Sequence, residues 1–381
     1  MNKWKVALCE PDLGRNEIIQ VSKVIRSKWL TMGRLSEKFE AEFAKFLGVR
    51  YAVFTSSATA GLHLAGRALN LKPGDEVICP ALTFVATVNS ILYVGAKPVF
   101  ADVSGKDDFN ISAGEIESKI TPRTRALMVV HYAGYPCQMD KIKRLAAKFK
   151  LAIIEDAAHA LGARLKNKNC GSWGDLGVFS FFSNKNMTTG EGGMVVTNQP
   201  ALAARIRLLR SHGMNVTTWK KFKMGAKANY DVLDLGYNYR PSEVNAALGL
   251  SQLQKLTANN RQRAKLTQQY RRRLESVNEV TLPFLNSPGQ SAYHIFPLLL
   301  ANSVDRDRLI AGLKKRGIQA SIHYPPVHKF LYYRRIFGNK ITLPNTEYVG
   351  KHQITLPLFP QMKQAQLKYV VDSLKQELAC R

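Results

Sequence analysis

Between about residue 50 and residue 200, short apolar runs alternate with longer stretches in which apolar residues recur at helical spacing. The apolar runs are residues 51–55, 76–79, 98–102, 126–131, 151–155, 178–182 and 194–197. The helical stretches between them are residues 58–68, 86–94, 113–120 and 139–149. Such alternation is typical of consecutive βαβ units, so we predict an α/β fold with a mainly parallel sheet of seven strands.

The chain on either side of this region carries two further patterns. Residues 36–46 place Phe39, Phe43 and Phe46 at helical spacing, which predicts an amphipathic helix docked on the core. A long helical region begins near Pro241 and continues to Leu274. Beyond it we predict a small α+β domain with strand 292–300, helix 306–316, strand 319–323 and helix 364–378. We therefore expect a large domain over residues 1–250 and a smaller one over residues 251–381.

Composition is typical of a globular chain: 45% of the 381 residues are hydrophobic. These residues are dispersed, with no uninterrupted run of ~20 that could span a bilayer, and the first residues lack the apolar core of a signal peptide. The five cysteines are scattered, with no CxxC pair and no histidine cluster at metal spacing. We expect a soluble, cytoplasmic protein with reduced thiols, no metal and no membrane partner.

The net charge is unusual, because 55 Lys and Arg residues against 28 Asp and Glu residues give +27. Such a balance can indicate a nucleic-acid partner. Here the basic residues are spread along the chain, with local concentrations at residues 220–223, 271–273 and 314–316 and no zinc-finger, RRM or recognition-helix pattern. We interpret the charge as solvated faces or a proteome-wide basic bias, with a weak attraction for anionic substrates.

Two chemically capable side chains follow predicted strands. Lys185 lies between the apolar run 178–182 and a glycine-rich loop, and Asp156 directly follows the run 151–155. The carboxyl ends of parallel strands face one common crevice. An amine and a carboxylate placed there suit pyridoxal phosphate, whose aldehyde condenses with lysine and whose ring nitrogen pairs with a carboxylate. A surface lysine and a strand-end cap are the structural alternatives.

A third feature is the run of small residues from Ser56 to Gly61, which follows a predicted strand and begins a predicted helix. Free backbone N–H groups and the positive end of a helix attract anions. This segment is therefore a candidate cradle for a phosphate group.

These residues and several further motifs resemble those of the DegT/DnrJ/EryC1/StrS group of sugar aminotransferases, over essentially the whole chain. The motifs are Thr31-Met32-Gly33, residues 37–40 and 56–62, Pro73-Gly74-Asp75-Glu76-Val77, Thr121-Pro122-Arg123-Thr124, His131-Tyr132-Ala133-Gly134, residues 155–159 and 184–193, Gly236-Tyr237-Asn238-Tyr239-Arg240, and residues 356–360. The resemblance implies a fold-type-I, aspartate-aminotransferase-like structure, with the sheet sandwiched by helices, and pyridoxal 5′-phosphate as cofactor. Within the group the chain is most similar to the branch that aminates a UDP-linked 4-keto pentose for lipid A modification.

The resemblance also implies a role for each cofactor-binding position. Lys185 would form the Schiff base and move the proton, and Asp156 would keep the ring nitrogen protonated. His159 would hydrogen-bond the phenolic oxygen, and Phe84 would stack on the ring; a buried structural histidine and core packing are the alternatives. The phosphate would be held by Ala58, Thr59, Ser180 and, from the neighbouring subunit, Asn238. A site completed in this way implies a homodimer.

On the substrate side, the resemblance implies that five residues approach the sugar or the nucleotide: Thr31, Glu191, Arg240, His323 and Tyr324. Tyr293 and His294 are a plausible addition. Phe182 departs from the pattern, because relatives usually carry a histidine or another polar residue there. We expect arginine, lysine and histidine to line the crevice and attract the pyrophosphate of the substrate.

The predicted function is an aminotransferase that moves an amino group from L-glutamate to a keto sugar, with the keto group at C-4, carried on a nucleotide diphosphate. Its products would enter polysaccharide or lipopolysaccharide synthesis. One alternative is a dehydratase of the same family, but there the anchoring lysine is replaced by histidine. The other is a regulatory nucleic-acid-binding protein on an inherited fold, which the pairing of Lys185 with Asp156 disfavours.

Overall fold

The computed structural model describes residues 4–216, 219 and 229–379. The basic segment 220–223 and Cys380 lie outside the described residues. No helix among the residues described is long and apolar enough to cross a bilayer.

The first two thirds of the chain form the sheet and its helices. The α-helices are α1 (Arg15–Ser27), α2 (Arg34–Leu47), α3 (Ala58–Ala68), α4 (Val85–Tyr93), α5 (Ala113–Ser118), α6 (Met139–Phe149) and α7 (Pro200–Arg210). The strands are β1 (Tyr51–Thr55), β2 (Glu76–Pro80), β3 (Lys97–Ala101), β4 (Thr124–Val130), β5 (Ala152–Asp156), β6 (Arg164–Leu165), β7 (Lys168–Asn169), β8 (Leu176–Ser180) and β9 (Gly193–Thr197). All seven predicted sheet strands are present, within two residues of their expected bounds.

The seven strands form one sheet in the order β1-β9-β8-β5-β4-β2-β3. Neighbouring strands are parallel except at β9, which runs antiparallel to both β1 and β8. Successive strand residues point to opposite faces, so Ile154 packs in the core beneath α3 and α4, whereas Ile153 packs beneath α5 and α6. The mainly parallel sheet covered by helices on both faces is confirmed.

Helix α2 starts two residues earlier than predicted. The buried carboxylate of Glu243, about 200 residues further along the chain, accepts hydrogen bonds from the backbone amides of Gly33, Leu35 and Ser36 and from the Ser36 hydroxyl. A carboxylate satisfies the free amides at a helix N-terminus well. The sequence around residue 36 could not predict this cap, because its carboxylate comes from a distant part of the chain.

The C-terminal part begins with the long helix α8 (Glu243–Leu274). Its remaining elements are β10 (Val280–Thr281), β11 (Phe296–Leu300), α9 (Arg306–Lys315), α10 (Leu331–Phe337), α11 (Pro344–His352), β12 (Gln353–Leu356) and α12 (Gln364–Ala379). Strands β10, β11 and β12 form a three-stranded antiparallel sheet. Because α8 crosses residue 250 and packs Leu256 in one core and Leu266 in another, the two-domain boundary stays a prediction.

Two strand predictions in this part were wrong in detail. The strand predicted at 292–300 covers only Phe296–Leu300, because the amides of Ala292 and His294 donate to the carbonyls of Gly134 and Ala133 in the large sheet region instead. Residues 319–323 form no strand beyond an isolated bridge between Ser321 and Thr355. The third strand of the small sheet is β12.

Candidate active site

A cavity of about 440 Å³ opens at the carboxyl ends of β5 and β8, where an α/β sheet is expected to bind its ligand. Ten of the predicted site residues line it: Ala58, Thr59, Phe84, Asp156, His159, Ser180, Lys185, Glu191, His323 and Tyr324. A larger cavity of about 710 Å³ lies against α2, β1 and α7 and contains neither Lys185 nor Asp156. The smaller cavity is therefore the candidate active site.

Asp156 ends β5 and is buried. Its carboxylate accepts a hydrogen bond from the Thr87 hydroxyl at 2.7 Å and one from the amide of Ala158 at 3.2 Å. Burial raises the pKa of Asp156, and the Thr87 hydrogen bond opposes that rise by favouring the ionised form. A carboxylate has about four acceptor positions, so Asp156 keeps acceptor capacity toward the cavity.

Lys185 follows β8 in a tight turn, in which its backbone amide donates to the carbonyl of Phe182 at 2.9 Å. Its side chain lines the cavity. Burial lowers the pKa of Lys185 to about 8, although the nearby Asp156 carboxylate acts in the opposite direction. A larger share of the amine is therefore uncharged near neutral pH, which is the form that attacks an aldehyde.

His159 is buried beside Asp156 on the same loop. Its Nε2 atom lies 3.0 Å from the Tyr324 hydroxyl, and its buried Nδ1 atom has no hydrogen-bond partner among the described residues. Burial, together with the charge of Lys185, holds the pKa of His159 well below its usual range. The imidazole is therefore neutral, with one buried nitrogen available to a ligand.

His323 stands beside Tyr324, and the peptide bond between them is cis. The Nδ1 atom of His323 lies 3.0 Å from the hydroxyl of Thr355 on β12. Burial lowers the pKa of His323 to about 4, so this ring too is neutral. The C-terminal part of the chain thus contributes a neutral imidazole and a phenol to the cavity.

The small residues at the start of α3 form one end of the cavity. The Ser57 hydroxyl caps the helix by accepting from the amide of Ala60, so the amides of Ala58 and Thr59 precede the first hydrogen bond within the helix. A side chain at Gly193 would place Cβ 2.5 Å from the Ala58 nitrogen, so only glycine permits this close approach of β9 to the helix start. An anion would be held there by backbone N–H groups.

Phe84 precedes α4 at the edge of the cavity. Its side chain is 55% exposed, which is unusual for a phenylalanine among buried neighbours, and its ring centroid lies 5.8 Å from that of Tyr324. Phe182 also lines the cavity and is 43% exposed. Two apolar rings are thus open to a ligand in this cavity.

Three predicted site residues do not line the cavity of their own chain. Thr31 forms an isolated bridge with Ser242, and Asn238 forms one with Ser211. Arg240 and Asn238 belong to the non-helical segment 236–240, which we call the strip. None of the three residues is buried. Among the described residues no arginine lines the cavity, so the expected arginine lining was wrong for a single chain.

The sequence interpretation missed Thr83 and Thr87. Their hydroxyls lie 2.7 Å apart, and Thr87 continues the chain of hydrogen bonds to Asp156. Both are buried, Thr83 just before α4 and Thr87 in its first turn. The only local signal is the spacing, since Thr87 follows Phe84 by three residues and so lies on the same side of the helix.

The residues present fit pyridoxal phosphate. Asp156 offers a carboxylate with spare acceptor capacity, and His159 a buried nitrogen that no described residue pairs. Phe84 offers an exposed ring, and the start of α3 a cradle for the phosphate. Lys185 supplies an amine whose lowered pKa favours condensation with the aldehyde. This fold and this site define the class of pyridoxal-phosphate-dependent aminotransferases.

The chain belongs to the DegT/DnrJ/EryC1/StrS aminotransferase family, whose model matches residues 11–375. Enzymes of this family use pyridoxal 5′-phosphate, and the cofactor is therefore assigned to this protein. An uncharacterised protein of Methanocaldococcus jannaschii is 40% identical over 369 residues, which is 96% of this chain and 95% of that protein.

Two solved structures show the same relation. PseC of Helicobacter pylori, an aminotransferase involved in the biosynthesis of pseudoaminic acid, superposes with a TM-score of 0.92 at 32% identity, over 99% of this chain and 100% of that one. DesI, solved in the presence of its TDP-sugar product, has a TM-score of 0.86 at 31% identity, over 98% of this chain and 94% of that one. The resemblance inferred from the motifs is thus confirmed at the level of the family.

Proposed function

We propose that the enzyme transfers the amino group of L-glutamate to a keto sugar carried on a nucleotide diphosphate, with the keto group at C-4. The observation that carries this proposal is the placement of Lys185 and Asp156 in one cavity, together with the exposed Phe84 ring and the α3 cradle. The family and the similarity to DesI support a nucleotide-sugar substrate. We assign the UDP-linked 4-keto pentose, lipopolysaccharide synthesis and a cytoplasmic location as working hypotheses within this proposal.

The bound cofactor supplies an electron sink for the carbon that gains or loses the amino group. Asp156 would hold the ring nitrogen protonated, because a buried carboxylate next to a cation is driven to the ionised form. Lys185 would bond the aldehyde of the cofactor, and its amine would act as the base that moves the proton, for which a pKa of about 8 is well suited. His159 would hydrogen-bond the phenolic oxygen through its Nδ1 atom, which has no partner among the described residues.

The Ala58 and Thr59 amides at the start of α3 and the Ser180 hydroxyl would hold the phosphate group. Glu191, His323 and Tyr324 face the remaining space, where the sugar enters. The cavity of a single chain lacks an arginine for the pyrophosphate of the substrate, among the residues that the structure describes. A nucleotide-sugar site therefore needs cationic groups from elsewhere.

A homodimer with shared active sites would provide those groups. Thr31, Asn238 and Arg240 lie outside the cavity of their own chain, and Thr31 is bridged to Ser242, two residues beyond Arg240. The amide of Ser56 donates to the carbonyl of Tyr239 on the same strip. Next to this strip Val232, Leu233 and Leu235 are at least 57% exposed, an apolar surface that a second copy would cover. We propose that the strip of one subunit completes the cavity of the other.

The test is a panel of UDP- and dTDP-linked 4-keto and 3-keto sugars, each incubated with the holoenzyme and L-glutamate. We expect 2-oxoglutarate and an amino sugar to form in equal amounts from at least one 4-keto sugar, as measured by mass spectrometry. Conversion of a sugar with loss of water and without consumption of glutamate would favour the dehydratase. No conversion together with tight, salt-resistant DNA binding would favour the regulatory alternative.

The amino donor is tested separately, without any sugar. Glutamate alone should convert the cofactor to its amine form in a single turnover, with loss of visible absorbance. Aspartate and alanine at the same concentration serve as controls. A faster reaction with either of them would replace glutamate as the donor.

A further inference from the structure

The residue after the proposed catalytic lysine is held by an unusual number of side-chain hydrogen bonds. Asn186 is buried, and its Nδ2 atom donates to the carbonyl of Ala292 and to Oδ1 of Asn260 on α8, both at 2.7 Å. Its Oδ1 atom lies 2.9 Å from Nδ1 of His294. The side chain thus joins the lysine turn to α8 and to the segment that leads into β11.

The direction of each of these hydrogen bonds follows from two backbone carbonyls. The carbonyl of Leu161 can only accept, so Asn260 turns Nδ2 toward it and leaves Oδ1 to accept from Asn186. The carbonyl of Ala292 can also only accept, so it too faces the Nδ2 group of Asn186. Oδ1 of Asn186 therefore faces His294, and His294 must carry its proton on Nδ1.

His294 in turn packs against the cofactor-binding histidine. The ring centroids of His294 and His159 lie 4.3 Å apart, and the carbonyl of His294 accepts from the buried Arg263 guanidinium. Burial, the neighbouring His159 and the charge of Lys185 hold the pKa of His294 well below its usual range. The ring is thus neutral and fixed in position and tautomer.

We propose that Asn186 and His294 are positioning residues: through the chain Leu161–Asn260–Asn186–His294 they fix the turn that presents the Lys185 amine and the ring that supports His159. The inference rests on the proposed role of Lys185 but not on the identity of the sugar. Neither residue needs to touch the reacting atoms. Displacing a reacting group by ~1 Å can cost about a hundred-fold in rate.

The test measures how fast the apoenzyme forms a Schiff base with pyridoxal phosphate, by stopped-flow absorbance, in His294→Asn, His294→Gln and His294→Phe. Asparagine places an N–H near the position of Nδ1, whereas glutamine places one near Nε2. We expect His294→Asn to stay within about three-fold of the wild type and the other two to be slower by roughly ten-fold or more. Asn186→Ala should behave like His294→Phe.

Binding of pyridoxamine phosphate separates positioning from general damage, because this form of the cofactor fills the site without bonding to Lys185. Its dissociation constant should change by a clearly smaller factor than the rate of Schiff-base formation in every variant, because only that rate depends on the position of the Lys185 amine. His352→Phe, which removes a buried histidine bonded to the Tyr348 carbonyl outside the cavity, is the matched control and should leave both measurements unchanged.

Three results would overturn the proposal. The first is a wild-type rate of Schiff-base formation in His294→Phe, and the second is a loss of pyridoxamine-phosphate affinity as large as the loss of that rate. The third is a faster rate in His294→Gln than in His294→Asn. A wild-type protein that binds pyridoxal phosphate without any Schiff base would overturn the role of Lys185 itself, and this proposal with it.

Discussion

Thr87→Val tests how the protein keeps Asp156 ionised. The substitution removes the hydroxyl that donates to Asp156 at 2.7 Å and keeps a side chain of nearly the same shape. Thr87 is fully buried, so water cannot replace the lost donor. We expect weaker cofactor binding, because the carboxylate must be charged to pair with the protonated ring nitrogen.

The size of the effect follows from the kind of hydrogen bond. A hydrogen bond to a charged group contributes about 1.5–3 kcal/mol, and about 1.4 kcal/mol is a factor of ten in a dissociation constant. Cofactor affinity should therefore fall by roughly ten-fold or more. The Thr83 hydroxyl also loses its partner, so the free energy of unfolding should fall by about 1 kcal/mol.

The pH dependence has a definite sign. Burial already raises the pKa of Asp156, and Thr87 holds it down by stabilising the ionised form. Without the hydroxyl the pKa rises further, so protonation occurs at a higher pH. Activity that requires the carboxylate should be lost at a higher pH in Thr87→Val than in the wild type as the pH falls.

The assay is equilibrium dialysis of pyridoxamine phosphate from pH 5 to pH 8, followed by the rate of the glutamate half-reaction over the same range. Thr83→Val is the matched control, since it removes the outer hydroxyl and leaves the Thr87–Asp156 hydrogen bond in place. Its cofactor affinity should stay within about three-fold of the wild type. Two results would refute the reasoning: equal cofactor affinities in the two variants, or loss of activity in Thr87→Val at the same acidic pH as in the wild type.

Lys185→Ala should bind the cofactor without the visible band of the Schiff base, and borohydride should then attach no cofactor to the chain; a retained label would identify another lysine. Asn238→Ala and Lys185→Ala, each inactive alone, should regain part of the activity when their subunits are exchanged; verified exchange without recovery would show that one chain builds each site. Glu155→Gln should lower the free energy of unfolding by about 3 kcal/mol, because the buried carboxylate accepts from three backbone amides and from His131; urea titration measures this. Phe182→His should change the kcat/KM ratio between two keto sugars by roughly ten-fold and leave the glutamate half-reaction unchanged; an unchanged ratio would remove Phe182 from the sugar site.

The sequence predicted the sheet well because its signals are local. Helices α3 and α6 were predicted at both ends, since amphipathic spacing covers their length and Ser57 marks the start of α3. Strand β8 ends two residues before the predicted bound because Phe181 is buried without being part of the strand: its amide donates to the loop carbonyl of Gly192. Apolar character predicts burial, and strand pairing requires more than burial.

Contacts between segments that are distant along the chain could not be predicted from the sequence. Thr87 and Asp156 are 69 residues apart, and Asn186 and His294 are 108 residues apart. Helix α1 was missed for a different reason: Ile18 and Ile25 are exposed and Val24 is its only buried apolar residue, so the helix presents no continuous apolar face to a core of the same chain. The motifs identified the candidate residues. The hydrogen bonds that determine their protonation and position depend on the fold.

Glu155 and Asp156 show how the fold separates structure from chemistry in neighbouring residues. Both are buried carboxylates on β5, and alternation sends them to opposite faces of the sheet. Glu155 accepts four hydrogen bonds, which satisfies all of its acceptor positions and fixes the loop from Gly171 to Gly174. Asp156 accepts only two among the described residues and faces the cavity. The satisfied carboxylate holds the strand end in place, and its unsatisfied neighbour is left able to bind a cation.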